Sequence, residues 1–174
     1  MTVDIARPSD LADALEIQNA LEAFAVRRAA HRGVSSAQIA LLRQYTASME
    51  EIAGAFGSLS AAALEQYAQM SWRFHRLVVE PAQCSMLNRH VADEFVSPFP
   101  FVGAPALTQA RVEALRKFML FQQDQHRSLI EAIAQRNSAR AESLAREHAR
   151  FNQRFLALWH EGVRTMVWAH TPPH

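Results

Sequence analysis

The stretch His126–Phe151, "HRSLIEAIAQRNSARAESLAREHARF", decides how this 174-residue chain folds. Leu129, Ile130 and Ile133 recur three and four residues apart, and so do Ala141, Leu144 and Ala145, with Phe151 two turns after Leu144. That spacing puts apolar side chains on one face of a helix. Between the runs stands Arg136-Asn137-Ser138, a turn in which Ser138 is the expected cap of the second helix. So short a connection predicts two helices packed side by side in opposite directions. Each run also carries a histidine on its apolar stripe. His126 keeps company with Met119, Leu129 and Ile133, and His148 with Leu144, Ala145, Phe151 and Phe155.

The pattern extends outward from there. The first of the two helices runs back through Gln122, Met119, Leu115 and Val112 to Thr108, and the second forward past Gly162 toward Trp168. Upstream, Pro8-Ser9-Asp10 is a helix start signal, with Ser9 or Asp10 as cap, and Gly33 an expected stop. The apolar stripe between them reads Ala14, Ile17, Leu21, Phe24 and Ala25. Ser35-Ser36 opens a second helix through Leu41, Leu42, Tyr45, Met49 and Ile52, closed by Gly54 to Gly57. Ser60 caps a third, "AALEQYAQMSWRFHRLVVE", which Pro81 interrupts. "QCSMLNRHVADEFV" (83–96) reads as a shorter helix and "SPFPFVGAP" (97–105) as a loop. No segment alternates with the period of a strand. The expected fold is all-α, a six- to seven-helix antiparallel bundle forming one domain over 1–174, with 1–8 an N-terminal arm and 169–174 a frayed tail.

Composition agrees with that fold and narrows the function. Apolar residues make up 49% of the chain, enough for a sizeable core, while five glycines and seven prolines leave helices largely unbroken. Eighteen basic against seventeen acidic residues give a formal charge of +1, without the clustered basic surface of a nucleic-acid reader. The single cysteine, Cys84, excludes an internal disulfide and a zinc ribbon and reads as a small core residue. No apolar run has the length of a signal peptide core or a membrane span, so a cytoplasmic protein free of membranes is the expectation.

The third helix repeats what the opening stretch shows. His75 stands on its apolar stripe with Leu64, Tyr67, Ala68, Ser71 and Val78. Three helices therefore each aim an imidazole inward, and a buried polar ring left without a partner costs about 1–3 kcal/mol. Each ring taken alone reads as a core histidine bonded to a neighbour. Three that converge read as ligands for a metal ion, or as hydrogen-bonding groups of a metal-free pocket. His31, His90, His160, His170 and His174 show no such placement.

At these residues the chain resembles the FCD domain, the effector-binding C-terminal domain of FadR-type regulators in the GntR family. The matching pieces are "DLADALEIQNALEAFAVRRAAHR" (10–32), "SWRFH" (71–75), "CSML" (84–87) and the opening stretch itself, together spanning roughly residues 10 to 155. The resemblance implies a bundle around a central pocket that binds a small organic or sugar acid, often with a divalent metal, zinc or nickel, held by one Asp and three His. The histidines fall on His75, His126 and His148, and the Asp position, one turn before the first, holds Ser71. A second departure falls in "EIQNALE", where Gln18 replaces the family's pocket-facing Arg and loses its charged grip on a carboxylate. Arg28, about three turns on, stands on the apolar stripe and is a candidate to supply that cation.

Three functions compete at this stage. The resemblance favours a homodimeric transcription-regulator domain sensing an effector, with Ser71, Gln18 and Arg28 as ligand contacts and no catalysis. The chain holds no recognition helix, so no direct DNA contact is expected of it, whether it is a free-standing sensor or part of a longer product. A metal-dependent hydrolase would need a general base, and Glu147 and Asp124 each diverge from the adjacent histidine by about 100° or more around the helix. A purely structural dimerisation domain would use "SPFPFVG" and "MVWAH" as its contact surface.

Overall fold

The computed structural model describes residues 8–55, 59–84 and 108–169, with the side chains of 16–55, 59–84 and 108–155. The expected short helix from Ser85 onward, the 97–105 loop, residues 1–7 of the arm and residues 170–174 of the tail lie outside the described residues. Within them the chain is helix and connection: α1 Pro8–Arg32, α2 Ser36–Gly54, α3 Ala61–Val79, α4 Gln109–Ala134 and α5 Ser138–Ala169, with a 3-10 turn at Glu80–Ala82. Pro81 therefore does not end α3 abruptly; its fixed φ suits the tighter turn that extends it. Gln83, expected to be helical, closes that turn with φ +46°.

The boundaries follow from capping chemistry. Ser35 and Gln38 form a capping box at the start of α2. Ser60 Oγ accepts from the Ala63 N–H at 3.1 Å at the start of α3. At α5 the expected cap, Ser138, is already helical. Asn137 takes that role, its Oδ1 accepting from the Arg140 N–H at 3.1 Å, because the turn is one residue tighter than the serine alone suggests. Gly33 ends α1 at φ +92°, where its N–H reaches back to Ala29 O at 2.9 Å, a conformation that favours glycine. Arg136, itself left-handed at φ +56°, donates from its guanidinium to His31 O and Arg32 O and so satisfies two of the last carbonyls of α1.

Side-chain contacts fix the helix directions. Phe118 stacks on Phe155, Gln122 bonds Asn152 and Gln125 bonds His148, so α4 and α5 are antiparallel, as the short turn predicts. Arg27 pairs with Glu142 while Arg136 reaches Arg32, which sets α1 against α5 in the same sense. Glu22 meets His75, Arg28 meets Ala82 and Arg32 meets Gln83, so α1 and α3 run in the same direction. α1 packs chiefly on α5, and α2 on α3 and α4. The three-residue link between α1 and α2 does not make them packed neighbours: each finds its main partner elsewhere.

The core centres on Tyr67, Phe74, Leu42, Met49, Leu115, Met119, Leu129, Ile130 and Ile133. α1 corrects the sequence reading. Its large residues Ile17 and Phe24 are 61% and 42% exposed, whereas Ala23, Ala25, Val26, Ala29 and Ala30 are fully buried. The face turned inward is the small one: Ala23, Val26 and Ala30 share the core with Ala141 and Ala145 of α5, while Ala25 packs with Val79 and Ala82; side-chain volume, not hydrophobicity, selects it. No described helix is long and apolar enough to cross a membrane.

Candidate metal centre

The three histidines come together as their stripes predict. His75 on α3, His126 on α4 and His148 on α5 are buried, and each offers a ring nitrogen within 4.8 Å of those of the other two. Ring centroids lie 5.5 Å apart for His75 and His126, 5.3 Å for His75 and His148, and 4.8 Å for His126 and His148. Phe74, next to His75 in sequence, stacks on the His126 ring at 4.1 Å and holds its plane.

Hydrogen bonds sort the nitrogens. His75 Nδ1 is bonded to Glu22 Oε1, His126 Nδ1 to Gln123 Oε1 at 3.1 Å, and His148 Nδ1 to Gln125 Oε1 at 2.9 Å. An oxygen of this kind accepts, so each Nδ1 carries the proton, and a neutral ring then presents its lone pair at Nε2. His126 Nε2 and Ser71 Oγ are buried and find no hydrogen-bond partner among the described residues. His148 Nε2 accepts from Asn152 Nδ2 at 3.1 Å.

From Asn152 a buried chain leads back to the cluster. Gln122 Nε2 donates to Asn152 Oδ1 at 3.0 Å, Tyr67 Oη–H to Gln122 Oε1 at 3.0 Å, and Gln123 Nε2 to Tyr67 Oη at 2.6 Å. Donors and acceptors agree along its whole length, from the His126 Nδ1–H to the His148 lone pair. Burial pushes the Tyr67 phenol pKa far up, so the hydroxyl keeps its proton.

Electrostatics keeps two of the imidazoles neutral. Burial first, then the neighbouring His148, His75 and Arg127, hold His126 well below the usual histidine range. Burial and then His75 push His148 down to about 3. Neutral rings with the proton on Nδ1 and the lone pair on Nε2 are the state in which imidazole binds a metal. The nitrogen donors, their oxygen acceptors and the partnerless Nε2 of His126 therefore fit a divalent ion held by His75, His126 and His148.

The other candidates are placed unequally. Ser71 lies one turn before His75, and Gln18, half-buried, one turn before Glu22. Because α1 and α3 run in the same direction with Glu22 against His75, the two positions share one level of the bundle. Arg28 is not brought to the cluster. Its Nε donates to Ala82 O at 3.3 Å and its guanidinium lies 5.8 Å from the Phe24 ring. It stands six residues beyond Glu22, about 9 Å along the axis and about 120° around it. Asp124 pairs with Arg127, and Glu147 is exposed.

Sequence reasoning missed Glu22, Gln123, Gln125 and Asn152. Gln122, on the apolar stripe of α4, was the visible signal, since a polar side chain at a core position implies a buried partner. Comparison with curated proteins finds no match. The family model described as the FCD domain matches residues 13–151, a span that contains all three histidines, Glu22 and the turn between α4 and α5. The chain thus belongs to the FCD domain family, whose members are the effector-binding domains of GntR-type transcription regulators.

Proposed function

We propose that this domain senses a small anionic metabolite of the organic- or sugar-acid class, in a pocket built on a divalent ion, zinc or nickel, held by His75, His126 and His148. The supporting observation is the sorting of the nitrogens: three imidazoles from three helices share one buried point, with every Nδ1 already bonded to an oxygen. Three neutral nitrogens suit zinc and nickel and leave at least one coordination position for water or a ligand oxygen. Ser71 stands where a carboxylate would otherwise neutralise the ion, so the site keeps more positive charge and favours an anion. Ser71 and Gln18 contact that anion, and Arg28 adds to the attracting field from farther along α1. The domain works in the cytoplasm as a homodimer, binding rather than transforming its ligand. It biases one helix arrangement over another for a DNA-binding unit to read.

The test is metal analysis of protein purified without a histidine tag, with thermal melting before and after adding zinc or nickel. About one equivalent of ion is expected, and an ion at 100 times its Kd adds about 2.7 kcal/mol, or roughly 5–10 °C at this chain length. His126→Ala should abolish both effects. Wild type that carries no ion and gains no melting temperature from either metal would overturn the reading.

A further inference from the structure

Among the described residues, Asn152 is the one group bonded to the lone pair on which the proposed site depends. Its amide has no freedom to turn away. Gln122 occupies Oδ1, and Gln122 is itself oriented by the Tyr67 hydroxyl, so Nδ2 must face His148. A flip would set two amide N–H groups against each other in a buried space. The three Nδ1 atoms are occupied by Glu22, Gln123 and Gln125, which leaves Nε2 of His148 as the atom an ion would use.

We infer that Asn152 guards the His148 lone pair and, once displaced from it, donates to the oxygen of the incoming ligand; the inference rests on the metal reading above. An ion bound through Nε2 must take that lone pair from Asn152. The released N–H is buried and needs another acceptor. The acceptor that the same event brings in is an oxygen in the remaining coordination position, from water or from a carboxylate. Asn152 thereby becomes a specificity residue. It holds the cluster closed while the ion is absent, and favours ligands that present an oxygen acceptor next to the ion. Its position four residues after His148 puts it on the same face of α5.

The experiment compares wild type with Asn152→Ala and Asn152→Asp. Asn152→Asp retains an oxygen for Gln122 in case the alanine variant fails to fold. In the metal-free protein, imidazole nitrogen NMR should show the His148 Nε2 signal moving toward that of an unbonded nitrogen in Asn152→Ala. In zinc titrations against a chromophoric chelator, that variant should bind about fivefold more tightly, the equivalent of one neutral hydrogen bond of about 1 kcal/mol. Asn152→Asp, which adds a negative charge, should gain at least as much. With acetate as probe, zinc-loaded Asn152→Ala should bind about fivefold more weakly than zinc-loaded wild type. An unmoved nitrogen signal, unchanged or weaker zinc binding in both variants, or equal acetate affinity overturns the inference while leaving the metal reading intact. Wild type that shows the nitrogen shift against its variant yet takes up no zinc refutes the metal reading, and the inference falls with it.

Discussion

Replacing Tyr67 by Phe would remove a single oxygen from the middle of the buried chain that ties His126 to His148. The ring would remain and no cavity would open, so the whole effect is polar. That oxygen donates to Gln122 Oε1 at 3.0 Å and accepts from Gln123 Nε2 at 2.6 Å. Two net hydrogen bonds are worth about 2 kcal/mol, and a buried amide oxygen stripped of its donor adds about 1–3 kcal/mol more. Gln123 Nε2 recovers part of the loss, because it also reaches Met119 O at 3.2 Å. The expected destabilisation is about 3 kcal/mol, or roughly 6–12 °C in melting temperature for a chain of this size. Urea unfolding of the metal-free protein measures it, with an unchanged m-value as the sign that only the native state is altered. A loss below about 0.5 kcal/mol would refute the view that the chain is a connected, fully paired network.

Glu22→Gln keeps an oxygen acceptor for His75 Nδ1 but removes the charge, so zinc affinity should fall about 10- to 100-fold in chelator competition while the fold persists; unchanged affinity would exclude an electrostatic role for Glu22. Acid should destabilise the metal-free protein through His148 and His126. His148 binds a proton near pH 6.5 when unfolded but only near 3 when folded, so its contribution is complete above about 6.5 and is lost as pH falls through that window. At pH 5 the loss is about 2 kcal/mol, and His126 adds to it in the same direction. Urea titrations from pH 7 to 5 should show a shallower slope in His148→Gln than in wild type; identical slopes would contradict the burial argument.

The sequence carried the α4–α5 hairpin because its apolar spacing, turn and antiparallel partnering all point one way. The histidines were legible for the same reason: each stands on a stripe whose inward direction is unambiguous. α1 was not, since Ile17 and Phe24 outweigh alanines in any reading by hydrophobicity, while close helix packing against α5 selects Ala23, Val26 and Ala30. That rotated stripe also made Arg28 look inward-facing. Residue type alone cannot tell the cap Asn137 from Ser138, one position away. Glu22 and Gln125 stayed hidden because their role appears only when α1 meets α3 and α4 meets α5, bringing a carboxylate and an amide oxygen to the rings of His75 and His148.

The bond from Arg136 to the end of α1 turns that helix into a ruler. It fastens Arg32 beside the α4–α5 turn, and ten residues back along the rod, about 15 Å, Glu22 arrives at His75. A rod fixed at one end delivers its cargo by residue count alone. Inserting or deleting one residue between Glu22 and Arg32 would swing the carboxylate by about 100° and shift it by about 1.5 Å. The histidine cluster would then lose its acidic partner without any change to the residues that form it.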